Sequence, residues 1–138
     1  MAGSTVVASL EWKHGLRFKA SAEGRELVLD GERRSGFSPT EALSLALAGC
    51  MAIDVVVILK KRRATIDALR VRIEGTRAET EPRRFTRLRL GFELAGSGFT
   101  AAHVERALEL SREKYCSVWH SLRQDIELET TFLSEVAG

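Results

Sequence analysis

The sequence predicts an α+β fold with the element order β-β-β-α-β-β-α-β. Short runs of alternating apolar and polar residues come in groups, as in antiparallel sheets with one buried and one wet face. Two longer segments with helical start signals separate these groups. Because the strands are grouped rather than alternating singly with helices, the pattern argues against a doubly wound α/β fold.

The N-terminal part of the chain contains three short β-type runs and then a loop. The runs are Val6 to Glu11, Leu16 to Ala20 and Glu26 to Leu29. Glycine-containing, turn-like segments separate them. Residues 31–37, with the sequence GERRSGF, are typical of a loop. We therefore expect three strands ahead of the first helix.

The first helix has a clear start signal. Ser38 stands at the N-cap, Pro39 in the first turn and Glu41 at the third helical position. This is a capping box, with proline where its missing N–H costs nothing. The helix should run to about Arg63, because the four basic residues 60–63 place positive charge at the negative end of the helix dipole.

The segment from Ala42 to Leu59 is almost wholly apolar and is near the minimum length for a membrane span. It contains Asp54, and an Asp near a bilayer centre is costly. We therefore predict a buried central helix. A helix that is apolar nearly all round must be covered on every side, and one small sheet covers only one. A second subunit would supply the rest, so we expect a homodimer.

The remaining elements are three strands and a second helix. Strands are predicted by period-two alternation in Leu69–Glu74, Arg87–Leu94 and Asp125–Glu129. The second helix should span roughly Ala101 to Tyr115, with Thr100 as its N-cap. The whole chain, residues 1–138, has the length of one domain.

Charge and cysteine content limit the function classes. A formal net charge of +2 gives little support to a nucleic-acid binder. The first ten residues lack the basic and apolar regions of a signal peptide, so we expect a cytoplasmic protein. In that reducing compartment, the two cysteines are free, metal-bound or redox-active rather than a structural disulfide.

Cys50 and Cys116 are the first candidates for chemistry. Cys50 lies about three turns into the first helix and Cys116 at the end of the second. They are either inert core residues or reactive thiols, and a reactive thiol needs a nearby cation or hydrogen-bond donor. Asp54 lies one turn beyond Cys50 on the same face. It would either hold an activating arginine or anchor the dimer through an ion pair.

We do not expect a metal site. The three histidines have no metal-type spacing with each other. Cys116 and His120 are one turn apart if the second helix continues. A structural zinc site needs four ligands, however, and no second pair is evident in the sequence.

The segment that leads to Cys50 resembles the active-site helix of the OsmC/Ohr family of osmotically inducible and organic hydroperoxide resistance proteins. Ser-Pro-Thr-Glu-Ala-Leu is followed by a small-residue helix that reaches Ala-Gly-Cys50. The second family cysteine lies near the end of the later helix, as Cys116 does, and the predicted strand order matches. Residues 49–56 and 113–118 look most similar to the YhfA-like branch of the family.

This resemblance implies thiol-dependent reduction of organic hydroperoxides by an intertwined homodimer. Cys50 would match the thiolate that attacks the peroxide and becomes a sulfenic acid. Cys116 would match the resolving thiol that condenses with it to a disulfide. The resemblance also implies an external dithiol or lipoyl-type reductant, and neither a metal nor a bound organic cofactor.

The family's site further contains an arginine and a glutamate. Arg17 is the first choice for the arginine, and Arg33 and Arg34 are alternatives. In the well-studied members a Glu directly follows the Pro, where this sequence has Thr40. Glu41, one place later, is either that acid or only the partner in the capping box.

A second function remains open from the sequence. The protein would then be a stress-related dimer, non-catalytic or sensory, that binds a hydrophobic small molecule at its interface. Saturable peroxide turnover that is lost in Cys50→Ser would favour the enzyme, and dye binding without turnover would favour the binding module. Neither function calls for nucleic acid or a membrane.

Overall fold

A computed structural model describes residues 3–137, and it confirms the α+β fold class and the predicted order of the main elements. The strands are β1 (Ser9–His14), β2 (Arg17–Ala22), β3 (Arg25–Asp30), β4 (Thr65–Arg77), β5 (Phe85–Ser97) and β6 (Glu127–Ala137). The helices are α1 (Pro39–Lys61), α2 (Ala101–Leu110), a π-helical turn (Ser111–Tyr115) and α3 (Ser117–His120). The chain divides into two compact units, Met1–Leu43 and Ser44–Gly138. That it acts as one domain stays a prediction.

The first unit contains the antiparallel sheet β1-β2-β3. The segment after β3 folds back onto it, because Leu29 and Phe37 form a parallel bridge and the Asp30 N–H donates to the Phe37 carbonyl at 2.9 Å. A Cβ at Gly36 would lie 2.3 Å from the Val28 carbonyl oxygen, so only glycine permits this approach.

The carboxylate of Asp30 holds this returning loop, and Asp30 is itself buried. It accepts the backbone N–H groups of Glu32 at 2.8 Å and Ser35 at 3.0 Å, and that of Arg34 at 3.2 Å. The Ser35 hydroxyl donates to it as well, at 2.9 Å. The Ser35 and Glu32 N–H donors lower the pKa of Asp30 to about 2. The loop ahead of α1 is therefore organised by one side chain.

The start of α1 confirms the predicted capping box. The Glu41 N–H donates to the Ser38 hydroxyl at 3.2 Å, and the Ser38 N–H donates to the Glu41 carboxylate at 2.9 Å. The predicted cap of the next helix is also present, since the His103 N–H donates to the Thr100 hydroxyl. α1 ends at Lys61, two residues before the predicted end at Arg63.

The second unit contains the sheet β4-β5-β6. β4 and β5 are antiparallel, but β6 pairs parallel with β5, from Arg87 opposite Glu127 to Ser97 opposite Ala137. The expectation of purely antiparallel sheets is therefore wrong at β6. The reason is the connection: α2, the π-helical turn and α3 return the chain to the end at which β5 began, and parallel pairing requires such a long crossover.

One face of α1 packs in the core of this unit. Leu47, Met51, Val55 and Leu59 are fully buried. Several other apolar side chains of the helix, among them Leu45 and Val57, are exposed in the single chain, and Ile53 is 64% exposed. By length and composition α1 could also cross a membrane. A second subunit is expected to cover this exposed apolar face, and the homodimer stays a prediction.

Asp30→Asn should lower the urea midpoint of unfolding at neutral pH, because the amide brings an N–H₂ group to a site that offers only donors. The folded pKa of about 2 lies below the ordinary value of 3.8. The stabilisation by wild-type Asp30 is therefore fully present above about pH 4 and is lost as the pH falls through about 2. The difference between variant and wild type should shrink over that interval. The exposed Asp67→Asn is the matched control, and equal midpoints for the two variants would contradict this account.

Candidate active site

The two cysteines come together in the second unit. Cys50 is half-buried on α1, next to the fully buried Met51, and Cys116 is fully buried after the π-helical turn. Both are free thiols. Their Sγ atoms and a carboxylate oxygen of Asp54 all lie within 4.8 Å of one another. Two thiols and a carboxylate therefore form one cluster between α1 and the segment that follows α2.

The π-helical turn sets the position of Cys116. The sequence predicts that the second helix runs to Tyr115, but α2 ends at Leu110. The wider π-helical turn follows, and in it the Cys116 N–H donates to the Ser111 carbonyl at 2.8 Å. Cys116 itself is extended, and its Sγ accepts the Trp119 N–H at 3.4 Å as the cap of α3. Such π-turns are frequent at functional sites.

The sequence pairs His120 with Cys116 only if the second helix continues to His120. The helix ends before Cys116, which has an extended backbone, so this condition is not met. The His120 ring instead forms a hydrogen bond with the Arg112 carbonyl, with 2.9 Å between Nε2 and the oxygen.

Asp54 is held by Ser111. The Ser111 hydroxyl, which is fully buried, donates to Asp54 Oδ2 at 2.7 Å. Within its own unit, Asp54 thus has a hydroxyl as its partner, whereas the sequence predicts an arginine or an ion pair at the dimer interface. Sequence reasoning missed Ser111. The spacing of Ser111 could have indicated its burial, because Ser111 lies one turn beyond Ala107 and Leu108 on the buried face of α2.

Burial raises the pKa of the Cys116 thiol to about 11. A hydrogen bond with Cys50 and the charges of Cys50 and Asp54 raise it as well, while the Trp119 N–H acts in the opposite direction. Cys116 therefore stays protonated at neutral pH, also when Cys50 is ionised. In the reduced pair, Cys116 is therefore the thiol that keeps its proton.

The other predicted site residues lie in the first unit. Arg17 is half-buried on β2, and Arg33 and Arg34 are exposed on the loop that Asp30 holds. Arg34 pairs with Glu32 at 3.5 Å. The Glu41 carboxylate forms the capping box, and the hydrogen bonds from Ser38 lower its pKa, with a smaller contribution from the charge of Arg33. Which arginine serves Cys50, and whether Glu41 takes part, stay predictions.

A groove of about 370 Å³ lies beside the cluster, between α1 and α2. Asp54 is one of its lining residues. Its apolar walls come from Val57, Ile58, Leu110 and Tyr115, and its basic side chains are Lys61, Arg62, His103 and Arg106. The groove therefore combines an apolar surface with basic side chains, and it adjoins the cluster through Asp54.

Ser111→Ala should destabilise the protein by about 1–3 kcal/mol, because a hydrogen bond to a charged group is lost inside the core. Ser121→Ala is the matched control, since its exposed hydroxyl also donates a 2.7 Å hydrogen bond, to the Ser117 carbonyl. Urea unfolding of both variants measures the difference. Equal stabilities would show that the Ser111–Asp54 bond contributes no more than a surface contact.

Iodoacetamide should modify Cys50 before Cys116 in the folded, reduced protein. Cys50 is partly exposed, whereas Cys116 is buried and its pKa of about 11 leaves about 100-fold less thiolate than a thiol with the ordinary value of 9.0. Peptide mass mapping over time measures the order of modification. In urea the two cysteines should react at similar rates, and similar rates in the folded protein would contradict the assignment.

Known proteins resemble this chain over most of its length. The OsmC-like protein family matches residues 30–131, which include both cysteines. Protein YhfA of Escherichia coli strain K12 is 38% identical over 127 residues, covering 91% of this chain and 95% of that protein.

Solved structures share the fold at lower identity. A hypothetical protein from Aquifex aeolicus VF5 superposes with a TM-score of 0.89 at 23% identity, covering 99% of this chain and 100% of that one. The organic hydroperoxide resistance protein OhrB of Bacillus subtilis superposes with a TM-score of 0.62 at 12% identity, covering 94% and 98%. From the family match and the similarity to YhfA, we conclude that this chain belongs to the OsmC-like family.

Proposed function

We propose that the protein is a thiol-dependent peroxidase that reduces organic hydroperoxides through Cys50 and Cys116. The observation that carries this proposal is the approach of the two Sγ atoms to within 4.8 Å. A disulfide needs about 2.05 Å between the sulfurs, so the two side chains have to move closer together before they can bond. The names of fold neighbours such as OhrB support the choice of substrate class.

In the first step, the Cys50 thiolate attacks the peroxide oxygen and breaks the O–O bond. With one proton taken up, Cys50–S⁻ and ROOH become Cys50–SOH and the alcohol ROH. Cys50 suits this role because it is the partly exposed sulfur. Cys116 suits the role of proton-bearing neighbour, since burial keeps its pKa high.

In the second step, Cys116 attacks the sulfenic acid, and the Cys50–Cys116 disulfide and water are formed. Oxidation of Cys50 removes a negative charge that raises the pKa of Cys116. The resolving thiol is therefore easier to ionise after the first step than before it. An external dithiol, of lipoyl type by the family resemblance, then reduces the disulfide and is itself oxidised.

The negative charge of Asp54 opposes ionisation of the nearby thiols, so the enzyme needs a compensating cation. We propose Arg17 for this role, with Arg33 and Arg34 as alternatives. The Ser111 hydroxyl reduces the effect of Asp54 by donating to its carboxylate. Asp54 thus raises the pKa of the Cys116 thiol and does not activate it.

The groove beside Asp54 favours bulky alkyl hydroperoxides. Its apolar side chains would bury an alkyl tail, and its basic side chains would attract a substrate that carries a carboxylate. The exposed apolar face of α1 supports a homodimer as the working form. We place this activity in the cytoplasm, where a reductant keeps both thiols reduced.

Wild-type protein treated with stoichiometric tert-butyl hydroperoxide should lose both free thiols and two mass units within seconds. Cys116→Ser should instead gain one oxygen atom, because its sulfenic acid has no thiol partner. Cys50→Ser should keep the Cys116 thiol, since that sulfur is buried and protonated. Intact-mass spectrometry and a thiol count measure all three.

Survival of both wild-type thiols in excess peroxide for many minutes would contradict the peroxidase. If such a protein still bound an apolar dye, the groove would be the functional feature and the binding-module function would take precedence. Oxidation of Cys50→Ser as fast as wild type would contradict the assignment of Cys50 as the attacking sulfur.

A further inference from the structure

The cluster around Cys50 contains the donor set of a metal site. Cys50 and Cys116 offer two soft sulfur ligands, and Asp54 offers a carboxylate oxygen. Sulfur with a harder oxygen or nitrogen ligand is the combination that Zn²⁺ accepts, whereas Mg²⁺ and Ca²⁺ take oxygen ligands alone. The three residues come from two distant segments of the chain, so the fold and not the local sequence assembles them.

The dimensions of the cluster fit a zinc ion. With Zn–S bonds of about 2.3 Å and tetrahedral angles, two sulfur ligands lie roughly 3.8 Å apart. The ligand atoms of Cys50, Asp54 and Cys116 lie within 4.8 Å of one another, so only small movements are needed. Three protein ligands leave a fourth position for water or an exogenous ligand.

The surroundings of the ligands also fit. The Ser111 hydroxyl holds Asp54 Oδ2 at 2.7 Å, which orients the carboxylate and leaves its other oxygen for coordination. The Trp119 N–H points at Cys116 Sγ, as donors to ligating sulfur do. Within residues 44–137, Asp54 takes part in none of the ion pairs, so no cation of its own unit is bound directly to its carboxylate.

We propose that the reduced protein binds one Zn²⁺ per chain through Cys50 Sγ, Cys116 Sγ and the Asp54 carboxylate, with an open fourth position. Binding converts two thiols to two zinc-bound thiolates and releases two protons. Zinc binding of this kind does not depend on the peroxidase activity, and it differs from the sequence-based expectation of no metal.

One consequence rests on the proposed function. Zinc and the Cys50–Cys116 disulfide use the same sulfurs, so they exclude each other. Oxidation of the zinc-bound dithiolate by ROOH, with two protons taken up, yields the disulfide, ROH, water and free Zn²⁺. Zinc would then protect the thiols, and peroxide would release the metal.

Titration of the reduced, full-length protein with Co²⁺ should produce thiolate-to-cobalt absorption and the visible bands of a tetrahedral centre, and Zn²⁺ should abolish both. Competition with a chromophoric chelator measures the Zn²⁺ affinity. Cys50→Ser and Cys116→Ser should each bind at least about 100-fold more weakly, and Asp54→Asn about 10-fold more weakly. The exposed Asp67→Asn is the matched control and should bind as wild type does.

Two controls keep the test independent of folding and of peroxide chemistry. Wild-type protein alkylated at Cys50 in its folded state should lose the thiolate-to-cobalt absorption, although it carries no mutation. Metal-free protein is used for the peroxide assay, so either activity can fail alone. Absence of thiolate-to-cobalt absorption in the reduced wild type, or an unchanged affinity in the cysteine variants, would overturn the zinc site.

Discussion

The hydrogen bond from Ser111 to Asp54 joins the two segments on which the site depends. Asp54 lies one turn after Cys50 on α1, and Ser111 begins the π-helical turn that ends just before Cys116. Because the bond is short and buried on the serine side, it fixes the position of one segment relative to the other. The approach of the two sulfurs therefore rests on a polar contact inside an apolar core.

This arrangement brings together three groups that are negatively charged when they are ionised, namely two thiols and a carboxyl group. Two thiols and a carboxylate within 4.8 Å cannot all be ionised without a positive partner. The proposed peroxidase and the proposed zinc site are two ways to meet that constraint. In the first, Cys116 would keep its proton and an arginine would compensate for a Cys50 thiolate. In the second, a divalent cation would neutralise both sulfurs. The reduced cluster is suited to either, and oxidation to a disulfide removes the charge.

Much of the fold could be predicted from local patterns. The capping box of Ser38 and Glu41, the cap at Thr100 and the strand alternation depend on neighbours in sequence, and the structure confirms them. The parallel pairing of β6 could not be predicted, because it depends on the path of a long crossover. The end of α2 at Leu110 was missed as well, since a π-turn carries no composition signal of its own.

For the site, the sequence by itself determined which reactive side chains the chain offers. It has two cysteines, an acid one turn after the first, and an apolar helix to carry them, and these residue types follow from composition and spacing. Only the tertiary structure decided that Cys50, Asp54 and Cys116 meet and that Ser111 holds the acid. The physical reason is that contacts between α1 and the segment after α2 depend on packing against a shared sheet, which no local pattern encodes.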